Sequence, residues 1–179
     1  MTTTPALNDH SALRLPVEQA TPPSPALLAV LRVGIAILWI ENVGWKKPPD
    51  FTSLRRFTVD AVDHPVFPPF SWLVSHLVLP NFTFFAWTTL LVEAALGVFL
   101  LLGLATRFWA LIGIAQSLAI TMSVLNAPNE WEWSYYLMIL AHVGLFATAA
   151  GRSFGLDGLL RPTWRASESR MARLLLRAS

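Results

Sequence analysis

A glutamate, Glu93, stands at the centre of an apolar stretch, Thr83–Gly103, that is long enough to cross a lipid bilayer. A carboxylate at that depth costs roughly 2.5–3.5 kcal/mol on insertion scales, so it requires a partner or a task. Three further apolar stretches each carry a polar residue at comparable depth: Arg32, Gln116 and His142. At 1.5 Å per residue, Arg32 lies about 10 Å from the end of its stretch, Glu93 about 15 Å, and Gln116 and His142 about 13–14 Å. The four are therefore expected to meet near the midplane, with Arg32 and Glu93 forming a charge-assisted clamp. Glu41 points about 180° away from Arg32 around the same helix, so Lys46, Lys47 or the following loop are its expected partners. His142 is the one group of the set whose unperturbed pKa lies near neutrality, which makes it the candidate proton carrier.

This set supports two readings. In the first it is a site for a quinone headgroup, whose hydrogen-bond partners must also exchange protons. Glu93 and His142 are then the catalytic pair, while Arg32 and Gln116 bind and orient. In the second the same residues are a fastener that fixes helix register, since intramembrane polar residues also make ordinary interhelical hydrogen bonds. Other chemistry finds little support. The chain has no cysteine, which excludes disulfides, thiol chemistry and cysteine-held iron–sulfur or zinc centres. No facing histidine pair suggests haem. Asp63, His64 and His76 lack the spacing of a metal site, and no metal is expected. No phosphate-cradling glycine loop or nucleophile elbow occurs.

The elements that must carry these residues are helices. Apolar residues make up 54% of the 179 and charged ones only 13%, about half the share usual in soluble domains. Four windows have the length and apolarity of a span: 25–45, 83–103, 107–125 and 133–150. Apart from Pro25, which opens the first window, every proline lies outside them, which predicts uninterrupted helices. The expected fold is all-α: an antiparallel bundle of four transmembrane helices spanning residues 25–160. Before it come residues 1–24, polar, proline-rich and expected to be a disordered leader. After it, residues 161–179 are expected to form a basic amphipathic tail, with Trp164, Met171, Leu174 and Leu175 among arginines, on a membrane surface.

Arg14, Arg107, Arg152, Arg161, Arg165, Arg170, Arg173 and Arg177 fall on one side of a four-span arrangement, so both termini are expected in the cytoplasm. Trp45, Trp72, Trp87, Trp131, Trp133, Tyr135 and Tyr136 gather at the other side as an aromatic belt. Within the long first loop, Phe51, Leu54, Phe57, Ala61 and Val62 share a helical face opposite Ser53, Arg56 and Asp60. The segment Phe70–Leu79 is too short to span and is expected to cap the outer end. Two stripes of small residues are expected to be packing faces: Ala110, Gly113, Ser117 and Thr121, and then Gly144, Ala147, Thr148 and Gly151. Arg152 and Asp157 are expected to pair in a turn after the last span.

These pieces resemble the DoxX/DoxD family of small four-helix bacterial membrane proteins. The resemblance is carried by Arg32-Val-Gly34 and by Gly44-Trp45-Lys46-Lys47 at the end of the first helix. It continues with Glu93-x-x-x-Gly97, Leu102-Gly103 and Arg107 around the second, and with Gly151-Arg-Ser-Phe-Gly-Leu-Asp157 after the fourth. The first loop looks more like the DoxD branch. What the resemblance implies is a subunit of a membrane redox system in the bacterial inner membrane, akin to the DoxD-type subunit of thiosulfate:quinone oxidoreductase. A separate redox subunit would do the sulfur chemistry, because this chain has no cysteine to receive sulfur. The alternative is a non-catalytic anchor or assembly partner. A transporter is less favoured, since neither an internal repeat nor a broken helix is present.

Overall fold

A computed structural model describes residues 22–179, so most of the expected leader, with Arg14, lies outside the described residues. Their helices are α1 (Pro25–Val43), α2 (Thr52–Asp63), α3 (Pro68–Leu73, continued by a π-helical turn Val74–Val78), α4 (Phe82–Leu102), α5 (Thr106–Val124), α6 (Glu132–Thr148), α7 (Leu156–Ala166) and α8 (Arg170–Ala178). A 3-10 turn, Ala150–Arg152, joins α6 to α7, and no strand occurs among the described residues. The fold is all-α. Three helices, α1, α4 and α5, are long and apolar enough to cross a membrane, while α6 is shorter at 17 residues. The long helices start and stop within two residues of the windows read from apolarity and proline placement.

The sequence sets these limits by simple means. Pro25 occupies the first turn of α1, where its missing N–H is no loss. Gly103 ends α4 in the left-handed conformation at φ 65°, its N–H and that of Leu104 closing on Leu100 and Phe99. The core is apolar and small: Ile35, Ala36 and Trp39 from α1, Leu96 and Leu100 from α4, Ala110 from α5 and Leu145 from α6. α1 packs along α4, and α5 along α6; the two pairs meet less extensively. Outward-facing Leu27, Val30, Phe84, Leu91 and Leu140 are exposed, as lipid-facing positions must be.

The register of α1 against α4 departs from simple depth counting. A side chain at Gly97 would meet Ile40 Cγ1 at 2.6 Å and the Ala36 carbonyl at 3.4 Å, so Gly97 is level with those residues. The end of α1 is then level with Glu93, and α4 continues for about 16 Å beyond it. α2 and α3 occupy the space above α1. Phe51 is 1% exposed and packs with Phe82 and Ala86, while Ala61 is also buried and Ser53 and Arg56 point outward. The first loop is thus folded onto the bundle as its own amphipathic pattern requires.

Two expectations fail locally. The stripe Ala110, Gly113, Ser117 and Thr121 is buried as expected, but Ala147 and Thr148 are exposed and Gly144 has open space around it. The inward face of α6 is His142 and Leu145 instead, because those side chains meet α5. Pro162 lies inside α7, where it forfeits one backbone hydrogen bond without ending the helix. Arg152 and Asp157 do not pair. The Arg152 guanidinium donates to the Ser179 carbonyl at 2.9 Å, and Asp157 is committed to backbone N–H groups.

Candidate functional site: a buried ion pair in an apolar cleft

Glu93 is fully buried and its partner is Lys46, not Arg32. Lys46 Nζ lies 2.5 Å from Glu93 Oε2, and both side chains are buried. Asn42 Nδ2 donates to the same oxygen at 3.2 Å, and Gln116 Nε2 donates to Oε1 at 3.1 Å. Three donors on one carboxylate are the pattern of an ionised acid. Lys46 Nζ also donates to the Asn42 carbonyl at 3.0 Å, and the Trp45 indole N–H fixes Asn42 Oδ1 at 2.8 Å. Burial pushes the Lys46 ammonium below the usual lysine range, and the Glu93 carboxylate beside it opposes that shift. Glu41 is left without Lys46 and stays exposed.

The offset of the two helices explains the exchange of partners. Arg32 and Glu93 were placed at similar depth by counting from the ends of separate spans. In the folded chain Arg32 is level with Leu100 and Leu101, two turns of α4 away from Glu93, or about 10 Å. Its guanidinium donates to the carbonyls of Leu100 at 2.5 Å, Leu101 at 2.8 Å and Phe154 at 3.3 Å. It is a C-terminal cap for α4, a position where a cation complements the helix dipole. Beside it, the Asp157 carboxylate accepts from the N–H groups of Ala105 at 2.7 Å and Thr106 at 2.9 Å, capping the start of α5. The 151–157 run is therefore a latch that holds the α4–α5 turn.

His142 is fully buried and turned towards α1. Its Nε2 accepts the Trp39 indole N–H at 2.8 Å, and its Nδ1 faces the Met138 carbonyl at 2.7 Å. An indole N–H can only donate and a carbonyl can only accept, so the imidazole here is neutral with its proton on Nδ1. A proton on Nε2 would have to displace Trp39. Gly113 makes this placement possible, because a side chain there would fall inside the His142 ring.

Glu93, Gln116 and His142 line one cleft of about 1360 Å³, together with Asn42, Trp39 and Lys46; Arg32 does not reach it. The remaining walls, from α1, α2, α3, α4, α5 and α6, are mainly apolar with hydroxyls of Ser53, Thr58, Thr88, Thr89 and Ser123 among them, and the Tyr135 hydroxyl donates to Glu130 near the aromatic end. Of the four expected site residues, three are brought together. Lys46, Asn42 and Trp39 were missed, although Trp39 and Asn42, three apart on α1, share the face that holds Ile35, and Lys46 follows just past the helix end. Asp63, His64 and His76 form no metal-ligating group among the described residues; His76 stacks on Trp72.

An all-helical bundle with outward apolar faces and a buried ion pair defines a small integral membrane protein. More particularly, the chain belongs to the DoxD family: the family model described as TQO small subunit DoxD matches residues 64–178. The matched span runs from α3 through α8 and contains Glu93, Gln116 and His142. α1 with Asn42, and Lys46 just after it, lie ahead of it. No curated protein and no solved structure matches the chain. Family and helices together make this a multi-pass membrane protein in contact with lipid.

Proposed function

We propose that this chain is the membrane subunit of a thiosulfate:quinone oxidoreductase-like system and that it holds a quinone headgroup beside Lys46 and Glu93. The observation that carries the reading is a buried ion pair set within a large, mainly apolar cleft. A structural pair alone gains little from such a cleft, since buried ion pairs seldom improve on apolar packing. The residues fit a quinone. An ammonium has three N–H donors, and Lys46 commits two of them, to Glu93 and to the Asn42 carbonyl. The third is left to the Trp45 ring, 4.1 Å away at its centroid, a contact that a quinone carbonyl oxygen would replace, and Gln116 has a second N–H to offer. A bound quinone would supply two-electron, two-proton redox chemistry. Glu93 is the group placed to accept or return a proton, with Lys46 and Gln116 holding its charge. His142 enters the reading differently from its expected role: with both ring nitrogens engaged, it positions Trp39 in the cleft wall.

In this reading α6 is the fourth span, both termini are cytoplasmic, and the membrane is the bacterial inner membrane. Residues 25–160 form the membrane domain and 161–179 lie at its inner surface. A separate subunit carries out the sulfur chemistry. The anchor or assembly reading keeps one observation in its favour: both Glu93 oxygens and both His142 nitrogens have partners within the chain, which is what a fastener requires.

Quinone retained by protein purified in mild detergent, extracted and quantified, decides between them. The site predicts near-stoichiometric quinone for the wild type and at least a tenfold loss per folded molecule for Glu93→Gln, with quinone counted against folded protein because that variant leaves Lys46 without its counter-ion. Equal retention by both, or no quinone in either, would favour the fastener.

A further inference from the structure

The cleft extends both ways from the ion pair, and in one direction it follows α1. Its wall on that helix runs from Asn42 through Leu38, Gly34 and Leu31 to Val30, a length of about 18 Å. The charged and amide groups facing the cleft on α1, α4 and α5 all lie at the Asn42 end; the reach towards Val30 is apolar. This side is also open. Val30 is 68% exposed, Leu31 41% and Leu38 65%, and on α6 Leu137 is 56% exposed. α1 meets α6 far less than it meets α4, and α6 lines the cleft only as far as His142, so beyond that level the α1 wall lies open to the acyl chains.

Gly34 lies on this wall, inside a helix, where glycine costs roughly 0.5–1 kcal/mol relative to alanine. Close helix packing is the usual compensation, as at Gly97 against Ile40. Gly34 has none, because a side chain there would meet no atom within 4 Å. Its effect is to leave a shallow, continuous trough between Leu31 and Leu38.

We infer that this trough binds the isoprenoid tail of the quinone, which enters sideways between α1 and α6 with its ring directed to Lys46 and Glu93 and its tail lying over Gly34 towards Val30. The inference rests on the proposed headgroup site and adds the entry route, the direction of the ligand and the part of it that gives affinity. A trough polar at one end and open to lipid along the rest suits a linear amphiphile. A water-soluble substrate would leave the apolar length unused.

The test is binding of two probes to purified protein, a long-chain quinone and a quinone of the same ring without a tail, in wild type, Gly34→Ala and Gly34→Leu. Wild type should bind the long-chain probe at least tenfold more tightly. Gly34→Leu should remove that advantage while binding of the tail-less ring stays within twofold, and Gly34→Ala should fall between. Leu31→Trp, which narrows the trough one turn away, should repeat the pattern. Thermal unfolding of each variant checks that the fold is intact. Long-chain binding unaffected by Gly34→Leu and Leu31→Trp would overturn the trough while leaving the headgroup site standing. Equal loss of both probes in folded protein would overturn it also, because Gly34 would then act on the ring. A wild type that binds neither probe would overturn headgroup site and trough together.

Discussion

At the scale of single residues the Lys46–Glu93 pair is the most consequential contact in the molecule. Removing one member leaves an uncompensated buried charge, a loss of about 3–5 kcal/mol. Lys46→Met alone is therefore expected to unfold at much lower denaturant in mixed micelles, whereas Lys46→Met combined with Glu93→Leu should come back to within about 1 kcal/mol of the wild type, and would bind no quinone. Full stability of the single variant would show that the charge is solvated. At Gly113 the added methyl of alanine collides with the His142 ring, so Gly113→Ala should cost about 1–3 kcal/mol by overpacking and alter Trp39 fluorescence; an unchanged spectrum would mean that the ring moves freely. That Glu93, Gln116 and His142 share one site was legible in the sequence because each is a polar residue midway along an apolar helix. The partner of Glu93 was not. Lys46 follows the helix end and reads as an interfacial charge, and nothing in one chain's hydropathy reports how far two helices are offset. Trp39 was hidden for another reason: in an apolar span an indole reads as packing, although its N–H is what fixes the His142 tautomer.

At the scale of elements, helix limits were readable because proline and glycine act locally, and the face of α2 was readable because its alternation of apolar and polar residues is strong. Stripes of small residues were less informative. That on α5 is a contact face, whereas on α6 Gly144 and Thr148 face outward, and a lipid-facing helix needs no size rule to choose between them. The latch at the α4–α5 turn is an element-scale device whose parts lie far apart in sequence. Asp157→Ala should cost about 0.5–2 kcal/mol, the usual range for a lost N-cap. Hydrogen exchange should localise that loss, speeding the Ala105 and Thr106 amides and sparing the region around Glu93. Uniform acceleration throughout α4 and α6 would instead mean that the latch governs the whole bundle.

For the whole molecule, the number of crossings is open to direct test, and the lack of native cysteine makes the experiment clean. With four spans, a cysteine at Asn129 should react with an impermeant maleimide in intact cells, while cysteines at Ser24 and Glu168 should react only after lysis. If Ser24 and Glu168 report opposite sides, α6 does not cross. The overall bundle was legible from apolar windows, and its closing contacts at the arginine-rich end were not, since they involve backbone carbonyls that any sequence possesses. The offset of α1 against α4 has a last consequence, for the order of events at synthesis. Lys46 emerges from the ribosome well before Glu93, so its charge has no counter-ion while α1 alone is in the bilayer. It must wait at the surface until α4 is delivered, then descend as the two helices dock. Only after that can Phe51 and α2 settle over it, which makes the first segment to leave the membrane among the last to find its place.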